Sequence, residues 1–297
     1  MDESTQSYIL LLLADGNLPT GSFVASSGLE SYVKHGFFTN SSSSSSTATA
    51  AQTNKAIVDF IQDSLGTYAR SALPFVSDAH IAMSRHNSMT SGLEESLHRD
   101  SEASTLQQIK DLDFLYESMT LNEVTRRASK AQGVALLTLF SKGFSSPLMP
   151  HASPNTELSM SASLEHFVDH YKLIVRREEA PGHLPICWGI LTATLGLSLD
   201  RSQHLHLFLH ARSLLSAAIR LNILGPYAAQ QVLLHVVRDV VAQHHNSCKD
   251  LRSGLSPGVR RQDGEEADDF DGPATTWPLG EILAARHDLQ HSRIFNS

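Results

Sequence analysis

Histidine is the residue of this chain whose number and spacing could support chemistry. The sequence contains 16 histidines. His206 and His210 lie four positions apart, which places two imidazoles on one face of a helix, where they could chelate a divalent metal ion. His244 and His245 could add ligands. No carboxylate lies within one helical turn of His206 and His210, and leucines surround them, which is typical of a partly buried helix face. We therefore predict no bound metal, and keep His206 and His210 as the candidate ligands should one exist.

Other catalytic signatures are absent from the sequence. It contains neither a G-x-x-x-x-G-K-S/T loop nor a G-x-G-x-x-G loop, so it has neither familiar loop for binding nucleotide phosphates. It also lacks the G-x-S-x-G and H-E-x-x-H motifs of hydrolases. His287 and Asp288 form the dipeptide of helical metal phosphohydrolases, but only ten residues follow His287, too few to supply the remaining ligands. These absences predict a protein that has no catalytic residues and no cofactor.

Composition narrows the class of protein. Of the 297 residues, 41% are hydrophobic and 18% are charged, as in a globular protein. The net charge of −8 argues against a nucleic-acid-binding surface, which would be basic. Cys187 and Cys248 form no C-x-x-C pair, which favours a reducing compartment. The start of the sequence is acidic rather than a basic leader, and the apolar run 9–13 is too short to cross a bilayer. We expect a cytoplasmic protein without a membrane segment.

Apolar residues at helical spacing recur along most of the chain, and strand signals are nearly absent. The clearest helical patterns cover 54–72, 104–118, 121–140, 184–197 and 227–245. Pro74 is expected to begin a separate helix, because proline suits the first turn and disrupts a helix interior. Asp200 and Gln203 predict the N-terminal cap of a helix that runs to about Asn222, and Gly225 is expected to end that helix. The sequence predicts an all-α protein of about eight to ten helices.

Three segments interrupt this pattern. Residues 39–53 contain a run of serines, 143–160 are rich in serine, proline and asparagine, and 247–276 combine glycine, proline and an acidic stretch. Low-complexity composition of this kind predicts flexible surface loops. None of the three separates two independent apolar cores, so we predict a single domain over 1–297.

A turn rich in Gly, Pro and Asn near the start of the sequence carries a family resemblance. Its residues are Leu18, Pro19, Thr20, Gly21 and Phe23, and a helix start with Gly28, Leu29 and Glu30 follows it. Such a turn supplies the backbone angles of a tight connection between helices. The order of residues resembles the opening of the UreF family of urease accessory proteins. Ser22 stands where that family usually has a second glycine, and Ala25 where it commonly has a histidine.

Four further blocks resemble the same family in the same order. Glu123, Ser129, Gln132 and Gly133 belong to one block, which precedes a leucine pair. The second block contains His183, Pro185 and Gly189. The third contains Arg220, Leu224 and Gly225, and the fourth is the run 291–297 at the end of the sequence. On these five ordered blocks the chain is identified as a member of the UreF family.

The resemblance implies a function that composition and spacing do not. UreF proteins are all-α accessory factors without enzymatic activity. They form a dimeric bridge between a UreD/UreH-type scaffold, which docks on apo-urease, and the GTPase UreG, which carries nickel. A requirement for GTP would then be met by UreG. Two alternatives stay open at this point: a generic all-α adaptor of another complex, and a helical metalloenzyme with His206 and His210 as ligands.

Individual residues carry more specific expectations. Glycines and prolines such as Pro19, Gly21 and Gly133 are expected to shape the fold. Arg220 lies in a stretch rich in alanine and leucine, and a buried arginine must be paired, with Glu30 or Glu123 as the candidate partner. Arg293, Ile294 and Phe295 form a short basic and apolar tip, which we predict to be a binding element for the scaffold partner. Docking of this tip on its own chain is the alternative.

Overall fold

A computed structural model describes residues 2–16, 18, 20, 22–37, 50–90, 95–145, 162–255 and 272–297. Over these ranges the chain is helical and contains no β-strand, which confirms the predicted all-α class. The α-helices are α1 (Glu3–Leu13), α2 (Leu29–Lys34), α3 (Ala50–Thr90), α4 (Glu95–Met119), α5 (Glu123–Leu139), α6 (Ala162–Arg176), α7 (Leu184–Thr194), α8 (Leu199–Arg220), α9 (Pro226–Val232), α10 (Arg238–Cys248) and α11 (Pro278–Ala285). None of the described helices is both long and apolar enough to span a membrane.

The prediction that Pro74 begins a separate helix was wrong. Helix α3 runs through this proline without a break for 41 residues, a length of about 60 Å. An interior proline costs a helix about 3 kcal/mol relative to alanine. Leu73 and Phe75 on either side of it are fully buried, and burial of one such side chain contributes about 1.5–3 kcal/mol. Tertiary packing therefore outweighs the local cost of the proline.

Two predicted helix boundaries were also wrong. The N-terminal cap of α8 is Ser198, whose Oγ accepts the Arg201 N–H at 3.4 Å, and Asp200 lies in the first turn instead. Serine caps a helix as well as aspartate does, so the two candidates compete on local grounds alone. After α8, Asn222 adopts the left-handed backbone conformation with φ of 57°, whereas Gly225 has φ of −71° and precedes α9.

The predicted loops are shorter than expected, and two helices were missed. Residues 50–53 belong to α3, 143–144 to a π-helical turn after α5, and 247–248 to α10. The parts at 39–49, 146–160 and 256–271 lie outside the described residues. Neither α6 nor α11 is among the predicted helices, because α6 follows a stretch of loop-forming residues and α11 has only eight residues.

The helices pack around two hydrophobic clusters. The first joins α1, α4, α5, α6 and α7 to the second half of α3. The second joins α2, α8, α9, α10 and α11 to the first half of α3. α7 is buried on nearly all sides, as predicted, and it meets α3 closely at Gly189, where a Cβ would lie 2.6 Å from the Val76 carbonyl oxygen. The single-domain organisation stays a prediction.

Candidate partner-binding site

The last residues of the sequence fold back onto the chain. The Phe295 side chain is 2% exposed and belongs to the second hydrophobic cluster. The Arg220 guanidinium lies over its ring, 4.4 Å from the ring centre, in a cation–π contact. We call residues 293–297 the tail, and call Glu30, Arg127, Arg220 and His287, which hold it, the tail dock. In this fold the Phe295 ring is buried in the core of its own chain, which is the alternative of intramolecular docking; its role in partner binding stays a prediction.

Glu30 anchors the tail from inside the molecule. Its side chain is fully buried, and its two carboxylate oxygens accept the N–H groups of Ile294 at 2.8 Å and Phe295 at 3.2 Å. The Lys34 ammonium lies 2.9 Å from the same carboxylate. Burial alone would raise the pKa of Glu30, but these donors and the ammonium outweigh burial and lower it below its ordinary value. The carboxylate is therefore charged in the fold and compensated by charge-assisted hydrogen bonds.

Main-chain hydrogen bonds hold the rest of the tail. The Asn296 N–H donates to the Val24 carbonyl at 2.8 Å, and the Ser26 N–H donates to the Ser297 carbonyl at 2.5 Å. His287 is buried, and its Nε2 donates to the Phe295 carbonyl at 3.2 Å. Burial lowers the pKa of His287, which favours the neutral imidazole. The tail is thus bound to α2, to the turn before it and to the segment after α11.

The outer side of the tail combines a cluster of ion pairs with exposed apolar side chains. Arg127 donates two hydrogen bonds of 3.0 Å to the Asp288 carboxylate, and Arg293 donates a third of 2.6 Å. The Arg127 contact is the main reason that the pKa of Asp288 lies below its usual value. Beside this ion cluster, Ile294 is 52% exposed and Leu289 is 75% exposed. Arg293 and Ile294, from the predicted partner-binding set, therefore lie on the surface.

Four of the five sequence blocks meet at the tail dock. They supply Glu30, Arg127, Arg220 and the tail itself, although Glu30 and Ile294 are separated by 264 positions. Arg220 was expected to be buried beside Glu30 or Glu123; it is exposed instead, and its contact with Phe295 was not anticipated. Arg127 was also missed, because an arginine on the exposed side of a helix is usually solvated and its sequence context gives no sign of a specific contact. The sequence signal for this meeting was the occurrence of family blocks at both ends of the chain.

Several motif residues have structural roles around the dock. Gly28 has φ of 86° at the start of α2 and packs against the Ala284 nitrogen of α11, so only glycine fits without strain. Leu29 is buried beside it. A Cβ on Gly133 would collide with the Gly182 carbonyl oxygen, whereas nothing lies within 4 Å of a Cβ on Gly225. Leu224 is buried in the second cluster. Pro19 and Gly21 lie outside the described residues, as does the Phe23 side chain.

A polar network joins the block that contains Ser129 to the block that contains His183. Ser129 Oγ accepts the Leu184 N–H at 3.1 Å and lies 3.1 Å from His183 Nδ1. His183 Nε2 lies 2.5 Å from Glu117 Oε2. This network ties α5 to the start of α7. Glu123, by contrast, lies at the surface beside Arg126.

His206 and His210 line a cavity of about 430 Å³, together with Leu18, Thr20 and Gln132. The Tyr68 ring stacks on both imidazoles, with ring centres 5.2 Å and 4.0 Å apart. The Tyr68 hydroxyl bonds His206 Nε2 at 2.8 Å, and Ser64 Oγ bonds His210 Nε2 at 2.9 Å.

This arrangement disfavours charge on either imidazole. Burial lowers the pKa of His206 to about 3 and that of His210 to about 4. His245 does not join the pair but bonds Gln203. Among the described residues, no group of three or more His, Cys, Asp or Glu side chains is arranged to hold a metal ion. The histidine pair is thus a neutral hydrogen-bonded stack with Tyr68 and Ser64.

Sequence comparison relates the chain to one known protein family. A sequence model of the UreF family matches residues 51–237. The chain is 44% identical to urease accessory protein 6 of Cryptococcus neoformans var. grubii, over 98% of this chain and 96% of that protein. It is 27% identical to an uncharacterized UreF-like urease accessory protein of Schizosaccharomyces pombe, over 100% and 99% of the two chains. It is 26% identical to the urease accessory protein UreF of Paenarthrobacter aurescens, over 99% of each chain.

Proposed function

Because the chain belongs to the UreF family of urease accessory proteins, we propose that it is a maturation factor for nickel urease. It bridges a UreD/UreH-type scaffold and the GTPase UreG, as a homodimer within the complex, and supports nickel insertion into apo-urease in the cytoplasm. The observation that carries this proposal is the 44% identity to a urease accessory protein over nearly the whole chain. A generic adaptor would share the helical fold but would have no reason for this match.

In this proposal the protein contributes binding surfaces and no chemistry of its own. GTP binding and hydrolysis belong to UreG in this proposal, which the lack of a familiar phosphate-binding loop in the sequence supports. The stack of His206 and His210 supports the same division, because each Nε2 is already bonded to a hydroxyl group. Metal ligation through the two Nε2 atoms would require both hydrogen bonds to break and further ligands to be supplied.

The surface that we assign to the scaffold partner is the outer side of the tail. It comprises Arg293 and Ile294 with Leu289 and Arg127 beside them. Exposed apolar side chains next to paired charges are typical of the surfaces that proteins use to bind one another. Phe295 supports this surface from below rather than touching the partner.

Deletion of the gene in its own organism tests the proposal. We expect a strain that makes urease protein but has little urease activity, at both low and high nickel, and recovery of activity on complementation with the wild-type chain. Complementation with an Arg293→Ala, Ile294→Ala double variant should restore much less activity. Full urease activity in the deletion strain would contradict the proposed function, whereas full rescue by the double variant would contradict only the assigned surface.

A further inference from the structure

We infer that Glu30 is a positioning residue of the partner surface, because its carboxylate fixes the tail so that Arg293 and Ile294 face outward. The partner then contacts these side chains rather than the tail backbone. The inference rests on the proposed function for the nature of the partner. The anchoring step itself is a property of the isolated chain.

Glu30 sets the register of the tail. The N–H groups of two successive residues, Ile294 and Phe295, end on the two oxygens of one carboxylate. The side chains of these residues lie in opposite environments, since Ile294 is half exposed and Phe295 is buried. A slip of one residue would expose the phenyl ring and bury the isoleucine. Glu30 therefore selects the face of the tail that a partner meets.

Much of the tail backbone is already engaged in hydrogen bonds within the chain. The N–H groups of residues 294–296 donate to Glu30 and Val24. The carbonyl groups of Phe295 and Asn296 accept from His287 and Arg127. A partner strand that added to the tail through backbone hydrogen bonds would have to displace these contacts. Recognition through side chains displaces none of them.

The charge of the surface around the tail indicates the chemistry of the partner. Arg127 and Arg293 share one carboxylate, that of Asp288, so this cluster carries one positive charge in excess. Ile294 and Leu289 are exposed beside it. A complementary surface presents a carboxylate next to an apolar pocket, because guanidinium groups bind carboxylates in a defined geometry.

The docked tail in turn supplies hydrogen-bond donors to the Glu30 carboxylate. A buried carboxylate that loses its hydrogen-bond donors is costly, and the tail supplies two of the donors to Glu30. Undocking of the tail would leave Glu30 with the Lys34 contact alone among those described above. The carboxylate and the tail therefore stabilise each other.

The anchoring step is tested on the isolated full-length chain by hydrogen–deuterium exchange. In Glu30→Gln the side-chain amide turns one acceptor into a donor that faces a backbone N–H. We expect faster exchange in the peptide 290–297, with helix content retained. Glu178→Gln, at an exposed glutamate far from the tail in sequence, is the matched control and should exchange like the wild type. Unchanged exchange of the tail peptide in Glu30→Gln would overturn the inference.

The positioning step is tested by a double-mutant cycle in binding to the purified UreD/UreH-type partner. We expect Glu30→Gln and Ile294→Ala each to weaken binding about tenfold, and the double variant to be little weaker than either. Glu30→Asp, which keeps the charge, should recover part of the affinity. A purely structural role of Glu30 would instead give additive losses, and that result would overturn the inference.

A different result would identify a failure of the proposed surface. If Arg293→Ala and Ile294→Ala both bind the partner as tightly as the wild type, the outer side of the tail is not the partner surface, and the positioning role falls with it. The family membership and the anchoring measured by exchange would be untouched by that outcome.

Discussion

Glu30 in the tail dock and the His206–His210 stack are both buried and titratable, and both have lowered pKa values for opposite reasons. At Glu30, backbone N–H groups and Lys34 outweigh burial and stabilise the charged carboxylate. At the histidine pair, burial prevails and the imidazoles are neutral. In the tail dock, hydrogen-bond donors compensate a buried charge that holds a segment of the chain. Between the helices, the buried imidazoles are neutral, because no comparable donors offset the cost of burying a charge.

Of the substitutions that test this comparison, Phe295→Ala in the tail is expected to cause the largest loss of stability. Phe295→Ala removes a ring that lies in the second hydrophobic cluster and under Arg220. Core substitutions of this type cost about 3–5 kcal/mol of unfolding free energy, which urea titration followed by circular dichroism measures. Ile294→Ala, one position away and half exposed, should cost no more than about 0.5 kcal/mol. Equal losses in the two variants would show that the tail does not dock as described.

The second prediction concerns pH and has a definite sign. His206 and His210 have folded pKa values of about 3 and about 4, below the ordinary value of 6.5. The unfolded chain therefore takes up protons first as the pH falls, so the stability that these groups contribute is fully present above pH 6.5 and decreases below it. Between pH 7 and pH 5 the loss is about 2 kcal/mol for each imidazole.

Variants separate this contribution from that of other buried histidines. The unfolding free energy of His210→Gln should fall less steeply with acid than that of the wild type, and the exposed control His235→Gln should behave as the wild type. His287 acts in the same direction, so the difference between variants is the measure. Glu30→Gln should differ in pH dependence only below about pH 4.5, where an ordinary glutamate protonates. If the unfolding free energies of His210→Gln and the wild type fell equally steeply with acid, burial of a neutral His210 would not contribute to the pH dependence, and the contrast between the two regions would not hold.

Local features of the fold could be predicted from the sequence, and long-range ones could not. The apolar composition of α7 is a local signal, and this helix lies where the signal indicates. The spacing of His206 and His210 placed them on one face, and both indeed stack on Tyr68. Pro74 failed as a helix start because burial of its neighbours outweighs its local preference.

The candidate site shows why long-range contacts were missed. Periodicity gives the face of a helix but not the segment that covers it. The burial of Phe295 depends on Glu30, more than 260 positions away, and the hydrogen bond between Tyr68 and His206 spans 138 positions. Arg220 was expected to be buried among its apolar neighbours, but it is exposed and its guanidinium lies over the Phe295 ring. That the contact is an aromatic ring from the tail follows only from the assembled fold.

The smallest expected effect concerns the hydroxyl groups that satisfy the stack. Tyr68→Phe keeps the ring between His206 and His210 but removes the hydroxyl that bonds His206 Nε2 at 2.8 Å. A buried imidazole nitrogen that loses its only described partner costs about 1–2 kcal/mol, because the ring stays packed and no cavity forms. Tyr227→Phe removes a hydroxyl from an exposed tyrosine and should leave the unfolding free energy unchanged. If the two variants are equally stable, the hydrogen bond to His206 contributes nothing to the fold, and packing alone would account for the stack.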